Sequence, residues 1–226
     1  MEVIIMDIKE LKEILTVERE LYAFLSKIIT VGPKKEFLNS FLYTFNDFAG
    51  DENQENDEMI KGIITIQKAL GHELSESDEK AFMNEYTRLF IGPGKTPIYP
   101  YSSVYLNKEP KPKLMDENTI EVRKQYLESN IVMNKLNVVP DDYLGAELEY
   151  MAYLTDKSIE LIEKEERNEL DQLLEKQLNF MENHLITWIP RFSQDLITST
   201  KEDLFKGLAL LLKGLIISHI IILKNV

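Results

Sequence analysis

The sequence predicts an all-α fold, and three observations carry that expectation. Apolar residues recur at three- and four-residue steps through most of the chain. No segment shows the sustained alternation, broken by turn residues, that marks half-buried strands. Glycine, proline and capping residues fall where such helices would start and stop. At 226 residues and 44% hydrophobic, the chain is long enough for a substantial core in one domain, or one domain with a subdomain.

The elements follow in order. Asp7 with Glu10 makes a capping box for a first helix. Ile8, Leu11, Leu15, Tyr22, Leu25 and Ile29 form its apolar stripe, and Gly32-Pro33 stops it. Phe37, Leu38, Phe41, Leu42, Phe45 and Phe48 give a second helix ending near Gly50. Residues 51–58 hold five acids and no base, which reads as a solvated loop. Met59, Ile60, Ile63, Ile64, Gln67 and Leu70 form a third helix, ended by Gly71. A fourth starts near Ser75 or Ser77 and runs to Phe90, where Gly92 and Pro93 end it.

Residues 91–116 contain five of the eight prolines, together with Tyr99, Tyr101 and Tyr105. A connection of this length inside a compact domain is usually functional or a hinge. Its tyrosines carry more apolar surface than a solvated loop needs, so it must pack on the body or offer a contact surface. Asn118 with Glu121 caps a fifth helix, and Asp141 or Asp142 a sixth carrying Leu144, Leu148 and Met151. Leu170, Leu173, Leu174, Leu178, Met181 and Leu185 mark a seventh, broken by Pro190. Thr200 with Asp203 starts the last, with Leu204, Leu208, Leu211, Leu212, Leu215 and His219 on one side.

A net charge of −13 argues against a nucleic-acid binder, which needs a basic face, and suits basic partners. With no cysteine, disulfides, thiolate catalysis and Fe–S ligation are excluded. The first residues have neither a basic n-region nor a long apolar run, so no secretory signal is expected. The most apolar stretch, residues 204–223, is interrupted by Lys206 and Lys213 and reads as a core helix rather than a membrane span. Cytoplasmic residence is the default.

Catalytic and cofactor motifs are not found. Gly92-Pro93-Gly94-Lys95-Thr96 ends like a phosphate-binding loop, but Leu89 stands where its first glycine belongs and no strand precedes it. His72, His184 and His219 lack the spacing of a metal helix, so no metal site is expected. His219 reads as a core side chain, and His184 as a structural hydrogen bond beside Trp188. Ser102-Ser103 is no nucleophile elbow, and Ser103 reads as a helix N-cap. Glu147 and Glu149, two apart, point to different sides of a helix; Glu147 shares a face with Tyr143. What remains is a binding constellation: Tyr86, Leu89, Phe90, Tyr99, Pro100 and Tyr101 as an apolar wall, with Asp141, Asp142 and Glu147 as an acidic rim. On composition alone, the simpler reading makes the aromatics core and the acids caps.

Four blocks, in order over about residues 82–192, reverse that preference. Glu85-Tyr86-Thr87-Arg88-Leu89-Phe90-Ile91-Gly92-Pro93 leads into Pro100-Tyr101-Ser102-Ser103-Val104-Tyr105. Thr119-Ile120-Glu121-Val122-Arg123 with Tyr126, Asp142-Tyr143-Leu144-Gly145, and His184-Leu185 with Trp188 and Pro190 follow. Together they resemble the signature of the TorD-like (DmsD/NarJ-type) redox-enzyme maturation chaperones. Tyr143 departs from it, standing where that family usually has His. The resemblance implies a TorD-like bundle of roughly nine or ten helices, a single domain over 1–226 with the 91–116 connection between its two parts. It implies a cytoplasmic chaperone without enzymatic turnover, cofactor or metal. Its partners would be the twin-arginine signal peptide, and the apo form, of a molybdenum- or tungsten-cofactor oxidoreductase, matured before export. Peptide contacts carry over to Leu89, Phe90, Gly92, Pro93, Pro100, Tyr101, Asp142, Tyr143 and Leu144, with Glu147 beside them. A monomer is expected, a domain-swapped dimer being the alternative the family offers. The rival reading is a non-catalytic helical adaptor for another basic protein.

Overall fold

The computed structural model describes residues 6–46, 57–71, 74–92, 98–107, 117–132 and 139–226. Among them the protein is all-α: α1 Ile8–Val31, α2 Lys35–Phe45, α3 Glu58–Leu70, α4 Glu76–Tyr86, α5 Ser102–Leu106, α6 Glu117–Glu128, α7 Leu144–Glu163, α8 Arg167–Phe180, α9 Ile186–Ser199 and α10 Asp203–Leu223. Two wide π-helical turns, Thr87–Ile91 after α4 and Met181–Leu185 between α8 and α9, interrupt the regular ladder. The one extended pairing among the described residues is an antiparallel bridge between Tyr101 and Tyr143.

Two helix pairs form the frame: α3 with α10, and α1 with α7. Helix α10 is apolar enough to cross a membrane by length and composition, yet Leu204, Phe205, Leu208, Leu211, Leu212, Leu215 and Ile216 are buried in the bundle. It packs on α3 at unusually close range. A Cβ at Gly214 would lie 2.0 Å from the Met59 nitrogen, and one at Gly62 would lie 2.3 Å from the Leu211 nitrogen. The two backbones touch because neither glycine carries a side chain. The α1–α7 pair is fastened at Gly145, whose carbonyl accepts from Ser26 Oγ at 2.7 Å.

Several expected starts and stops fall elsewhere. Asp7 precedes α1 without a side-chain cap, and Ile8 is exposed, so the stripe begins at Leu11. Phe48 and Gly50, and most of the acidic stretch, lie outside the described residues; Asp57 caps α3 by accepting from the Met59 N–H at 2.8 Å. Ser75, rather than Ser77, closes a capping box with Asp78 at α4. Asn118 lies inside α6, which starts at Glu117. Helix α10 starts after Glu202, whose N–H donates to Thr200 Oγ1. Pro190 does not end a helix: α9 runs through it to Ser199. It sits in the second turn, where one absent N–H removes a single ladder bond that surrounding packing outweighs. Its neighbours Trp188, Ile189 and Phe192 are all fully buried.

Candidate peptide-binding site

The aromatic loop and the start of α7 are brought together by backbone. Ser102 N–H donates to the Asp142 carbonyl at 3.1 Å, and Leu144 N–H to the Pro100 carbonyl at 2.9 Å. Across this bridge the Tyr101 and Tyr143 rings meet at 5.3 Å. The Tyr143 hydroxyl donates to the Ile29 carbonyl near the end of α1, and the Tyr86 hydroxyl donates to the same oxygen at 2.8 Å. Tyr86 in turn packs on Phe90 at 5.3 Å. Phe90, Tyr86, Tyr143 and Tyr101 thus form one continuous aromatic array. Burial pushes the Tyr143 and Tyr86 hydroxyls well and moderately above their ordinary values, so both stay neutral donors.

Of the sequence-predicted residues, Phe90, Gly92, Tyr101 and Tyr143 are partly accessible. Gly92 ends the wide turn: its N–H donates to the Thr87 carbonyl at 2.8 Å, and its φ of +95° is one that glycine adopts without a Cβ penalty. Leu89, Pro100 and Leu144 are buried and support the array from behind. Pro93 lies outside the described residues.

The acidic rim is corrected. Asp141, Asp142 and Glu147 are 2%, 0% and 0% exposed. Asp142 Oδ2 accepts from the Ser103 N–H at 2.9 Å and Oδ1 from Thr119 Oγ1 at 2.8 Å. It therefore anchors the first turn of α5 and ties it to α6, and Ser103 is the capped residue rather than the cap. Neither aspartate caps α7, whose preceding residue is Tyr143. Asp141 is paired with Arg123 Nε at 2.8 Å. Glu147 faces inward, where its Oε1 meets His184 Nε2 at 2.7 Å. Burial raises the Glu147 carboxyl above its ordinary value, against the opposing pull of His184. For His184, burial works downward but the Glu147 charge and hydrogen bond outweigh it, leaving the imidazole more basic than usual. The structural reading of His184 therefore stands.

The accessible concavity lies beside Tyr143 rather than over Leu89. It is a cleft of about 540 Å³ lined by Tyr143, at the start of α7, and by Ala146, Tyr150 and Tyr153 of α7, with Thr30, Tyr126, Ile131, Val132 and Val139 around it. Exposed Glu149 stands on its wall. Val132 and Tyr153 are 62% and 40% exposed, so the cleft presents apolar surface to solvent. Sequence reasoning missed these residues, although Tyr143, Ala146, Tyr150 and Tyr153 follow the i, i+3, i+7, i+10 spacing of one helix face. In the described part of the 91–116 connection, Tyr105 of α5 meets Trp188 at 5.6 Å and Phe192 at 5.9 Å. Tyr99 is 47% exposed. Among the described residues there is no cluster of three or more potential metal ligands.

Comparison with known proteins gives the family to which this all-α bundle belongs. The pattern of the nitrate reductase delta subunit family matches residues 52–194, more than half of the chain. The chain belongs to this family, that of the TorD-like redox-enzyme maturation chaperones. It is 27% identical over 146 residues to the probable Tat proofreading chaperone DmsD of Haemophilus influenzae, covering 65% of this chain and 60% of that protein, less than two thirds of its length. It is 27% identical over 180 residues to the chaperone protein TorD of Aliivibrio salmonicida, covering 77% and 80% of the two chains. With the TorD of Vibrio cholerae it shares 24% identity over 191 residues, 82% of each.

Proposed function

We propose that the protein is a cytoplasmic, non-catalytic chaperone that binds the twin-arginine signal peptide of a molybdenum- or tungsten-cofactor oxidoreductase and assists its maturation before export. The observation that carries the reading is the Tyr143 cleft: an apolar trough bordered by an exposed carboxylate, in a chain of net charge −13. A twin-arginine signal has the matching chemistry, two guanidinium groups beside an apolar stretch. Membership of the maturation-chaperone family supports the same reading. With Asp141, Asp142 and Glu147 buried, the arginines are met by surface acids, Glu149 first among them. The array of Phe90, Tyr86, Tyr143 and Tyr101 holds the cleft's edge in place rather than forming its floor.

Titration calorimetry tests this with two synthetic peptides that share an apolar stretch, one carrying Arg-Arg and the other Gln-Gln. The Arg-Arg peptide is expected to bind more tightly, with an advantage that shrinks as salt is raised. Equal affinities for the two peptides would rule the reading out.

A further inference from the structure

The two helix pairs of the frame, α1 with α7 and α3 with α10, meet directly through α1 and α10. We propose that Glu18, Tyr22 and His219, buried at this meeting, form a proton-linked latch: the closed seam holds one shared proton, and parting of the two pairs releases it as pH rises.

The geometry is that of a shared proton. Glu18 and Tyr22 stand at i and i+4 on α1, so both face His219 of α10. His219 Nδ1 lies 2.9 Å from Tyr22 Oη and 3.3 Å from a Glu18 carboxyl oxygen. The Tyr22 and His219 rings are 5.7 Å apart, and all three residues are buried. One ring nitrogen thus meets two oxygen partners, yet it can give or take only one proton. The Glu18 carboxyl makes no hydrogen bond in this arrangement, and neither does His219 Nε2. A lone charge in such a place is far costlier than a neutral pair. Glu18 and His219 are therefore neutral together, with one proton on the carboxyl or on the ring, and that proton belongs to the pair. Burial favours the carboxyl: it pushes Glu18 well above its ordinary value and His219 down to about 3. The linkage is the same for either placement, because only the number of bound protons counts.

No other charge intervenes. Burial alone acts on Glu18 and His219, and burial together with Glu18 acts on Tyr22. Among the described residues, no charged group of α3, α7, α8 or α9 acts on the trio. Charged neighbours on its own helices are engaged elsewhere: Arg19 with Asp156 and Glu20, Lys213 with Glu58, and Lys224 with Glu182.

The sign of the pH dependence follows. Once the seam parts and hydrates, Glu18 returns to 4.5 and His219 to 6.5. Between those values the open pair is a carboxylate beside an imidazolium. It holds one proton, as the closed pair does, so opening is independent of pH there. Above pH 6.5 the open pair has lost its proton while the closed pair keeps it. Opening then gains about tenfold per pH unit, until the closed pair itself gives up the proton. The Tyr143 cleft rides on one side of this seam. Thr30, Ala146, Tyr150 and Tyr153 belong to the α1–α7 pair, and no residue of α3 or α10 lines the cleft.

The chain has no cysteine, so a single introduced thiol reports on the seam. Leu15→Cys, one turn before Glu18 and fully buried, is the reporter; Leu215→Cys, one turn before His219, replaces it if the first variant does not fold. Ile66→Cys is the control inside one pair, since Ile66 is buried on α3 where Gly207 of α10 approaches it. Folded full-length protein is labelled with an uncharged disulfide reagent from about pH 5.5 to about pH 8.5, a range spanning the predicted break. Each rate is divided by that of the same thiol in the urea-unfolded chain, which removes the thiol's own ionisation. At position 15 the ratio is expected to stay flat to pH 6.5 and then rise about tenfold per unit, with no comparable rise at position 66. Glu18→Gln should abolish the rise, whereas Tyr22→Phe, which keeps the shared proton, should preserve it. A flat ratio at position 15 over the whole range would overturn the proposal. So would a rise that survives Glu18→Gln, or an equal rise at position 66, which would mean unfolding of the whole chain. No peptide enters the measurement, so its failure leaves the signal-peptide reading standing.

Discussion

Asp142 carries its weight inside the protein. It joins three elements through two hydrogen bonds to one buried carboxylate, at Ser103 and Thr119. Asp142→Asn replaces one acceptor by a donor facing the Ser103 N–H, and should destabilise the fold by about 2–3 kcal/mol. Urea unfolding would show it, and the folded variant should keep its affinity for the Arg-Arg peptide. Unchanged stability with weakened binding would return Asp142 to the rim. The buried trio of Glu18, Tyr22 and His219 makes a second residue-scale case. Tyr22 Oη lies 2.9 Å from His219 Nδ1, and Glu18 lies 3.3 Å from the same nitrogen with no hydrogen bond of its own. Burial pushes His219 down to about 3 and raises Glu18 well above its ordinary value, so both sit neutral. Below about pH 6.5 the unfolded chain gains a proton that folded His219 refuses, so its contribution is lost as pH falls toward 3. Glu18 has the opposite sign: its contribution is present below the ordinary carboxyl value of 4.5 and lost as pH rises above it. Glu18→Gln should therefore gain about 1–2 kcal/mol at pH 8 and little at pH 4.5. Equal urea midpoint changes at the two pH values would contradict that assignment.

At the scale of elements, the α3–α10 seam is the most demanding contact. Gly214→Ala forces a methyl against the Met59 backbone, and backbone cannot turn aside as a side chain can. The expected loss is about 2–4 kcal/mol in thermal or urea unfolding; an unperturbed melting temperature would mean the helices separate freely there. Helix periodicity made α1, α3 and α10 legible in the sequence, because one wide apolar face buried on one side leaves a clear stripe. Caps were less legible. Asp7, Asn118, Asp141 and Asp142 all have capping chemistry, but tertiary partners decide which backbone group each can reach. The sequence separates α7 from α8 as two helices but does not place the turn between them: it falls at Glu165, with φ +59°, where neither Gly nor Pro announces it. The π-helical turns leave no signal in apolar spacing, since one widened turn shifts a stripe by a single residue.

For the whole molecule, the aromatic signature and its neighbours were legible as blocks but not as a surface. Sequence spacing places Asp142 and Glu147 near Tyr143, yet only the packing of α5, α6 and the Met181–Leu185 turn shows that both carboxylates point inward. The same packing turns Tyr150, Tyr153 and Glu149 toward the cleft. The most direct test of the account is the affinity of the Arg-Arg peptide for Glu149→Lys, measured by calorimetry beside the wild type at low and high salt. Glu149 is exposed, so reversal should change little in stability while weakening binding by about five- to tenfold at low salt, less at high salt. Unchanged affinity at low salt would contradict the placement of the arginine pair at the Tyr143 cleft.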